Sequence, residues 1–542
     1  MSQLAAQARL VAFLAACGGA PLPPAPLPHA ATAHYLEARL AATHDAWDDA
    51  ADALADAAAA APDQPMLAVE LARAQHKAKR DAAAVATLAQ ARAKWPRHEQ
   101  VWLASGDQLA KAAPADAIKA YRRAIALAPD DERAYLGLAK LEPPAAALVT
   151  LRELVRRVPT STDGHYRLAQ RYAAARGLAQ AIRELRAVLE LDPDHIDARI
   201  DLSRALRITG KLPEAIAQAR SAFDRSGQAM DLAEELFFLL CEADDRTAAL
   251  DLLTLLDDDR SDLEALGTVA RLQRGLGRLD AARALAARMT KLDADAGALA
   301  LAETDLAAGD APGAAKRALA VAESSKSFID ARRIAAAALL AAGQPQRALD
   351  ALAPARAKKP ADIDLATLAA FATVDLGRPA DARALIVGDD ANAQFARARV
   401  ADRAGDVTGA LALVEALVRA KPDAGPALNL AGYLLADSGQ RLADAERYLA
   451  RAREVSPGDP AILDSWGWLL YKQGKSRAAV RVLDQAARYA PREPEILVHL
   501  AAAWISDGAP RTAAGVLEAA AALHPRLEVQ RLLDAQRARL PR

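Results

Sequence analysis

Between Pro460 and Pro491, apolar or small residues stand at Leu463, Trp466, Gly467, Leu470, Gly474, Ala479, Leu483 and Ala486, with mostly polar residues between them. Spacings of three and four place the first four on one face of a helix and the last three on one face of a second, with Gly474 at the turn. Pro491 cannot continue the second helix and closes the unit. Counted from Pro460 as one, the marked positions are 4, 7, 8, 11, 15, 20, 24, 27 and 32. The alanine at position 20 can be followed through the chain at Ala50, Ala84, Ala117, Ala147, Ala181, Ala215, Ala248, Ala281, Ala314, Ala348, Ala380, Ala410, Ala445, Ala479 and Ala513. That ladder covers 463 residues in 14 steps, about 33 per step. Twelve residues after most of these alanines comes a proline: Pro62, Pro96, Pro129, Pro159, Pro193, Pro360, Pro422, Pro457, Pro491 and Pro525.

This register resembles the tetratricopeptide repeat, a helix-turn-helix unit of about 34 residues. The resemblance implies an all-α chain, a right-handed superhelix of about fifteen units over residues 32–525 with a capping helix in 526–542. Positions 8 and 20 then lie where the two helices of a unit cross, so they take Gly or Ala, while positions 4, 7, 11 and 24 fill the space between units. One unit cannot bury its own apolar face, so stability comes from stacking on neighbours. Three places strain the pattern: Pro143-Pro144 shortens one first helix, Gly388-Asp389-Asp390 replaces a closing proline, and between Gly227 and Ser327 the closing prolines are missing. These are candidate bends, with simple drift of turn residues as the alternative.

Composition agrees with the repeat. Of 542 residues, 53% are apolar and only 4% aromatic, which suits small side chains between close-packed helices. With 69 Lys+Arg against 70 Asp+Glu the chain has no global attraction to nucleic acid or anionic lipid. No run of roughly 18 apolar residues offers a membrane span.

Two cysteines, Cys17 and Cys241, cannot build a disulfide framework. Cys241 ends an apolar run and reads as a small buried hydrophobe. Cys17 follows Leu14-Ala15-Ala16 after a short apolar stretch, and precedes a spacer with Pro21, Pro23, Pro24, Pro26 and Pro28. The outline is that of a secretory signal, and Leu14-Ala15-Ala16-Cys17 resembles the lipobox of bacterial lipoproteins. That resemblance implies a signal peptide over 1–16, lipidation of Cys17 and a tether over 17–31; Gly18 after the lipidated residue fits sorting to the outer membrane, facing the periplasm. A cytosolic scaffold with the same body and no anchor is the alternative.

No catalytic motif appears. There is no H-E-x-x-H, P-loop or G-x-S-x-G elbow, and no histidine belongs to a complete zinc-ligand set with Cys or paired carboxylates at the required spacing. Asp194-His195-Ile196-Asp197 reads as a solvated turn, and Gly275-Leu276-Gly277 as a turn between helices. No enzyme activity, cofactor or metal is therefore expected, and the chain reads as a scaffold that binds a protein or peptide. In the tetratricopeptide family the concave wall is lined by first-helix positions 2, 5, 9, 12 and 13. Carried onto the last clear repeats, these are Asn429, Tyr433 and Asp437, then Asp464, Trp468, Tyr471 and Lys472. Aromatics with one polar end, exposed on such a wall, are typical anchors for a docked peptide; Trp466, at core position 7, reads as packing. Trp468 covering the next repeat without touching a partner is the alternative. The basic residues that clamp a terminal carboxylate in chaperone-binding members are not all present.

The segments Asn429 to Asp437, Asp459 to Trp468 with Tyr471, and Pro494-Glu495-Ile496 with His499-Leu500 resemble the C-terminal repeats of bacterial tetratricopeptide outer-membrane lipoproteins. One member of that group is the adaptor of a periplasmic carboxyl-terminal processing protease, so the resemblance implies such a protease as a partner, with membrane contact through the lipid anchor alone.

Overall fold

The computed structural model describes residues 27–541 apart from 259–261, 457, 524 and 526. Cys17 and the expected signal segment lie outside the described residues. The first helix, His29–Thr43, begins inside the segment expected as tether. Among the described residues there are no strands, and the helices form fifteen consecutive pairs, each a helix A and a helix B, followed by a final helix Leu527–Arg537. Among the described residues no helix is long and apolar enough to cross a membrane.

The alanine ladder holds with three shifts. In each pair the fourth residue of helix B is an alanine, and all fifteen, from Ala50 to Ala513, are 0–1% exposed. In three pairs that residue differs from the one expected. Ala249 replaces Ala248, Ala282 replaces Ala281 and Ala382 replaces Ala380, which is itself exposed. In each case the neighbouring sequence holds several alanines, so composition hides the register that burial reveals.

The crossing is tightest where position 8 is glycine. A Cβ on Gly467 would sit 2.5 Å from Leu483 Cγ, one on Gly432 2.3 Å from Leu449 Cγ, and one on Gly106 2.6 Å from the Tyr121 ring. Each partner lies four residues after the ladder alanine, so a large helix B side chain is seated over a helix A that has none. Cohesion between pairs is apolar: Leu435, Leu449, Trp468, Leu469 and Ala502 form one buried cluster drawn from three successive pairs. Each such leucine contributes roughly 1.5–3 kcal/mol by leaving water.

The irregular repeats keep the same hairpins. Pro143-Pro144 ends helix Glu132–Leu141 early. Where closing prolines are missing, aspartates cap the next helix instead: Asp262 accepts from the Ala265 N–H at 2.8 Å and Asp293 from the Ala296 N–H at 2.9 Å. Near Gly388, whose φ is +100°, helix B shrinks to Pro379–Ala384, and Asp390 accepts from the N–H groups of Asn392 and Ala393.

The chain divides into two compact units, one up to Ala205 and one from Leu206. The first is a plain stack of pairs. The second also touches itself across many repeats: Gln485 donates to the carbonyls of Cys241 and Glu242, Arg492 to those of Ala307 and Ala308, and Arg207 to that of Glu454. Arg488 pairs with Asp244 at 2.9 Å, and Gly458 lies against the Phe238 carbonyl.

Candidate partner-binding groove

Within the second unit, five successive A helices and the final helix contribute to one open groove of about 740 Å³. Most of its A-helix side chains come from the same helical positions. Counted from the first residue of each helix, position 9 supplies Phe371, Arg399 and Tyr433, position 5 supplies Phe395 and Asn429, position 13 supplies Arg403 and Asp437, and position 2 supplies Pro426, Ala461 and Glu495. Val529 and Leu532 come from the final helix. The period arises because positions four apart share a helix face.

The two walls differ in charge. On one, the guanidiniums of Arg399 and Arg403 lie 5.1 and 5.0 Å from the centre of the Phe371 ring, and Arg403 forks onto Asp375 at 2.8 and 2.6 Å. On the other are Asp437, Asp459 and Glu495. Asn429 lies there too, with a buried Oδ1 that accepts no hydrogen bond.

Below this second wall is a buried polar cluster. Trp468 stacks between His499, 4.1 Å away, and Tyr471, 4.7 Å away. Its indole N–H donates to Asp437 Oδ1 at 3.0 Å, and Lys472 reaches the Asp437 carbonyl at 2.6 Å while lying over the indole. His499, 1% exposed, is bound through Nδ1 to both carboxylate oxygens of Asp464, at 2.9 and 3.1 Å. Burial opposes the charged imidazolium, but Asp464, with Glu495 and Asp437 further out, carries the His499 pKa above its ordinary value. Tyr433 donates to Glu495 at 3.1 Å, and burial pushes its phenol pKa up. Arg539 donates to the Tyr471 hydroxyl at 2.8 Å.

The expected site residues therefore separate. Asn429, Tyr433 and Asp437 line the groove. Asp464 and Trp468 do not present an exposed surface as expected: they are 7% and 5% exposed, committed to His499 and Asp437. The reason is that the following A helix brings His499 against them, a residue the two-repeat reading left out. Tyr471 and Lys472 are half-buried around the same indole. Trp466 is only half-buried, with Arg453 over its ring at 4.9 Å. Phe371, Phe395, Arg399 and Arg403 were missed; applying positions 5, 9 and 13 to the two preceding repeats finds them.

The groove supplies surface and hydrogen-bonding groups. Among the described residues no cluster of three or more His, Cys, Asp or Glu could hold a metal ion. Burial raises the Cys241 thiol to about 12, which keeps it protonated.

Stacked helical hairpins with a repeated set of A-helix side chains on one groove define an α-solenoid. The tetratricopeptide-repeat family model matches residues 166–229, 367–424, 395–460 and 465–528, so these segments are tetratricopeptide repeats. It is 37% identical over 95 residues to the TPR repeat-containing protein PA4667 of Pseudomonas aeruginosa, a match covering 18% of this chain and 16% of that protein. Among known structures, yeast Tom70 is similar over 82% of this chain and 96% of its own, at 15% identity and a TM-score of 0.37. YrrB, described as a TPR protein with an unusual peptide-binding site, is similar over 34% of this chain and 98% of its own, at 18% identity and a TM-score of 0.29.

Proposed function

We propose that this protein is a non-catalytic scaffold or adaptor that holds a partner protein in the groove of its second unit, and that it is anchored by a lipid on Cys17 in the bacterial cell envelope, facing the periplasm. The observation that carries the scaffold reading is the groove itself: apolar and aromatic side chains from equivalent positions of successive A helices, with polar groups interspersed, make the kind of surface that recognises a polypeptide. Support for the anchor is the order of apolar stretch, Leu14-Ala15-Ala16-Cys17 and proline spacer. Support for a carboxyl-terminal processing protease as partner is the resemblance carried by Asn429 to Asp437, Asp459 to Trp468 and Pro494 to Leu500.

Affinity capture from envelope membranes, followed by mass spectrometry, tests the scaffold and the partner together. A protein retained by the wild type and lost with Phe395→Ala plus Tyr433→Ala, at unchanged helicity, supports the groove; an identical captured set for both contradicts it. Absence of any carboxyl-terminal processing protease from that set removes the partner assignment alone. Palmitate labelling that disappears in Cys17→Ala supports the anchor, and no label in the wild type rules it out.

A further inference from the structure

The walls of the groove are unequal in what they can still bind. Its charged lining residues are Asp402, Asp437, Asp459 and Glu495 against Arg399 and Arg403. The two guanidiniums are held over Phe371, and Arg403 is forked onto Asp375. The opposite wall offers acceptors: Asp437, whose Oδ1 already holds the Trp468 N–H and Lys472 at 3.4 Å but whose side chain is still 51% exposed, and the buried, unpartnered Oδ1 of Asn429. Asp459 adds a second carboxylate while one of its oxygens caps the Ala461 N–H at 2.8 Å. A buried acceptor without a donor is unfavourable, and carboxylates along a partly desolvated wall attract cations more strongly than in open water. Between these groups lie Leu430, Ile462, Val529 and Leu532, which favour apolar side chains.

We propose that the occupant of this groove is an extended segment of the partner protein in which apolar side chains alternate with lysine or arginine. The inference rests on the groove reading above and adds the chemistry of what enters. An extended chain fits because its backbone N–H groups are free to donate, whereas those of a helix are already used. The apolar side chains meet the leucine and isoleucine floor. The cations meet Asp459 first and the exposed side of Asp437 beside Lys472 second, and their charge steers the segment to that wall and sets its direction along the groove.

The test uses fluorescein-labelled peptides of one length that share the same leucines and carry lysine, glutamate or serine between them. Each is titrated into the full-length protein by fluorescence anisotropy at low and at physiological salt. The lysine peptide is expected to bind at least about tenfold more tightly than the serine peptide, with the glutamate peptide weakest and the preference shrinking with salt. Asp437→Asn with Asp459→Asn keeps the cap and the indole acceptor but removes both charges; it should abolish the lysine preference over serine at unchanged helicity. Equal binding of all three peptides, weakened by Phe395→Ala, overturns the charge inference and leaves the groove reading standing. Tighter binding of the glutamate peptide also overturns it. Failure of every peptide to bind, or binding indifferent to Phe395→Ala, overturns both.

Discussion

The side-chain amide of Gln485 donates to the main-chain carbonyls of Cys241 and Glu242, at 3.2 and 3.0 Å, although 244 and 243 residues separate them in sequence. Together with Arg492 on the carbonyls of Ala307 and Ala308, at 2.6 and 2.7 Å, this bond joins distant repeats of the second unit through side chain to backbone contacts. Such contacts compete with water, and each contributes only about 0.5–1.5 kcal/mol, or up to about 3 where the donor is charged.

Gln485→Ala with Arg492→Ala should therefore loosen the second unit without unfolding its hairpins. Small-angle scattering should show a larger radius of gyration, and amide exchange should quicken around 238–246 and 307–309. Unchanged scattering and exchange would mean that the remaining contacts, Gly458 on the Phe238 carbonyl, Gly277 on Pro491 and Arg488 with Asp244, suffice to hold the repeats together.

The His499–Asp464 pair makes part of the stability depend on pH. Because the folded His499 pKa lies above the unfolded value of about 6.5, the pair's contribution is fully present below that pH and is lost as pH rises through the folded pKa. Asp437, Glu495 and Tyr433 also face the ring, so the slope belongs to the cluster. Amide protection in helices Pro460–Lys472 and Pro494–Ser506 should fall between pH 6.5 and alkaline pH. Asp464→Asn should lower it by about 3 kcal/mol at pH 6 and flatten the dependence, since one partner of a buried ion pair is removed. A slope that survives Asp464→Asn would assign it elsewhere.

Gly467 and Leu483 form a matched pair. Gly467→Ala should cost about 1–3 kcal/mol by overpacking, despite alanine's better helix propensity. Leu483→Ala alone should cost about 2–5 kcal/mol through the cavity it leaves. The double substitution should be less damaging than the sum, a coupling that denaturant titration of a double-mutant cycle reads directly. Strict additivity would show that the two side chains do not share the space.

Register is testable where the alanine ladder shifts. Ala249→Leu should destabilise its repeat by about 1–3 kcal/mol, whereas Ala248→Leu, on the half-exposed side, should cost less than about 0.5 kcal/mol. The reverse order in thermal melts would restore Ala248 to the crossing.

Most of the fold was legible because position 20 admits only a small residue and the closing proline admits no continued helix; two independent constraints repeating every 33 or so residues cannot be mistaken. The register slipped at Ala249, Ala282 and Ala382 because in each case the prolines that would have anchored it are absent nearby and several adjacent alanines satisfy the same composition. The groove was half legible. Asn429, Tyr433 and Asp437 follow from helical position alone. The burial of Trp468 was not legible, since it depends on His499 arriving from the next repeat and on Asp437 turning to accept the indole N–H. The self-contacts of the second unit depend on how many repeats complete a turn, and side chains such as Gln485 and Arg492 carry no local signal of that.

A scaffold of this kind works only if a partner enters the groove. The decisive measurement is photocrosslinking in cells with a benzophenone amino acid placed at Leu430, which lines the groove, and separately at Leu255, which is exposed on a B helix. An adduct with a second protein from position 430 and none from position 255 is the predicted result; adducts from position 255 with none from position 430 would contradict it.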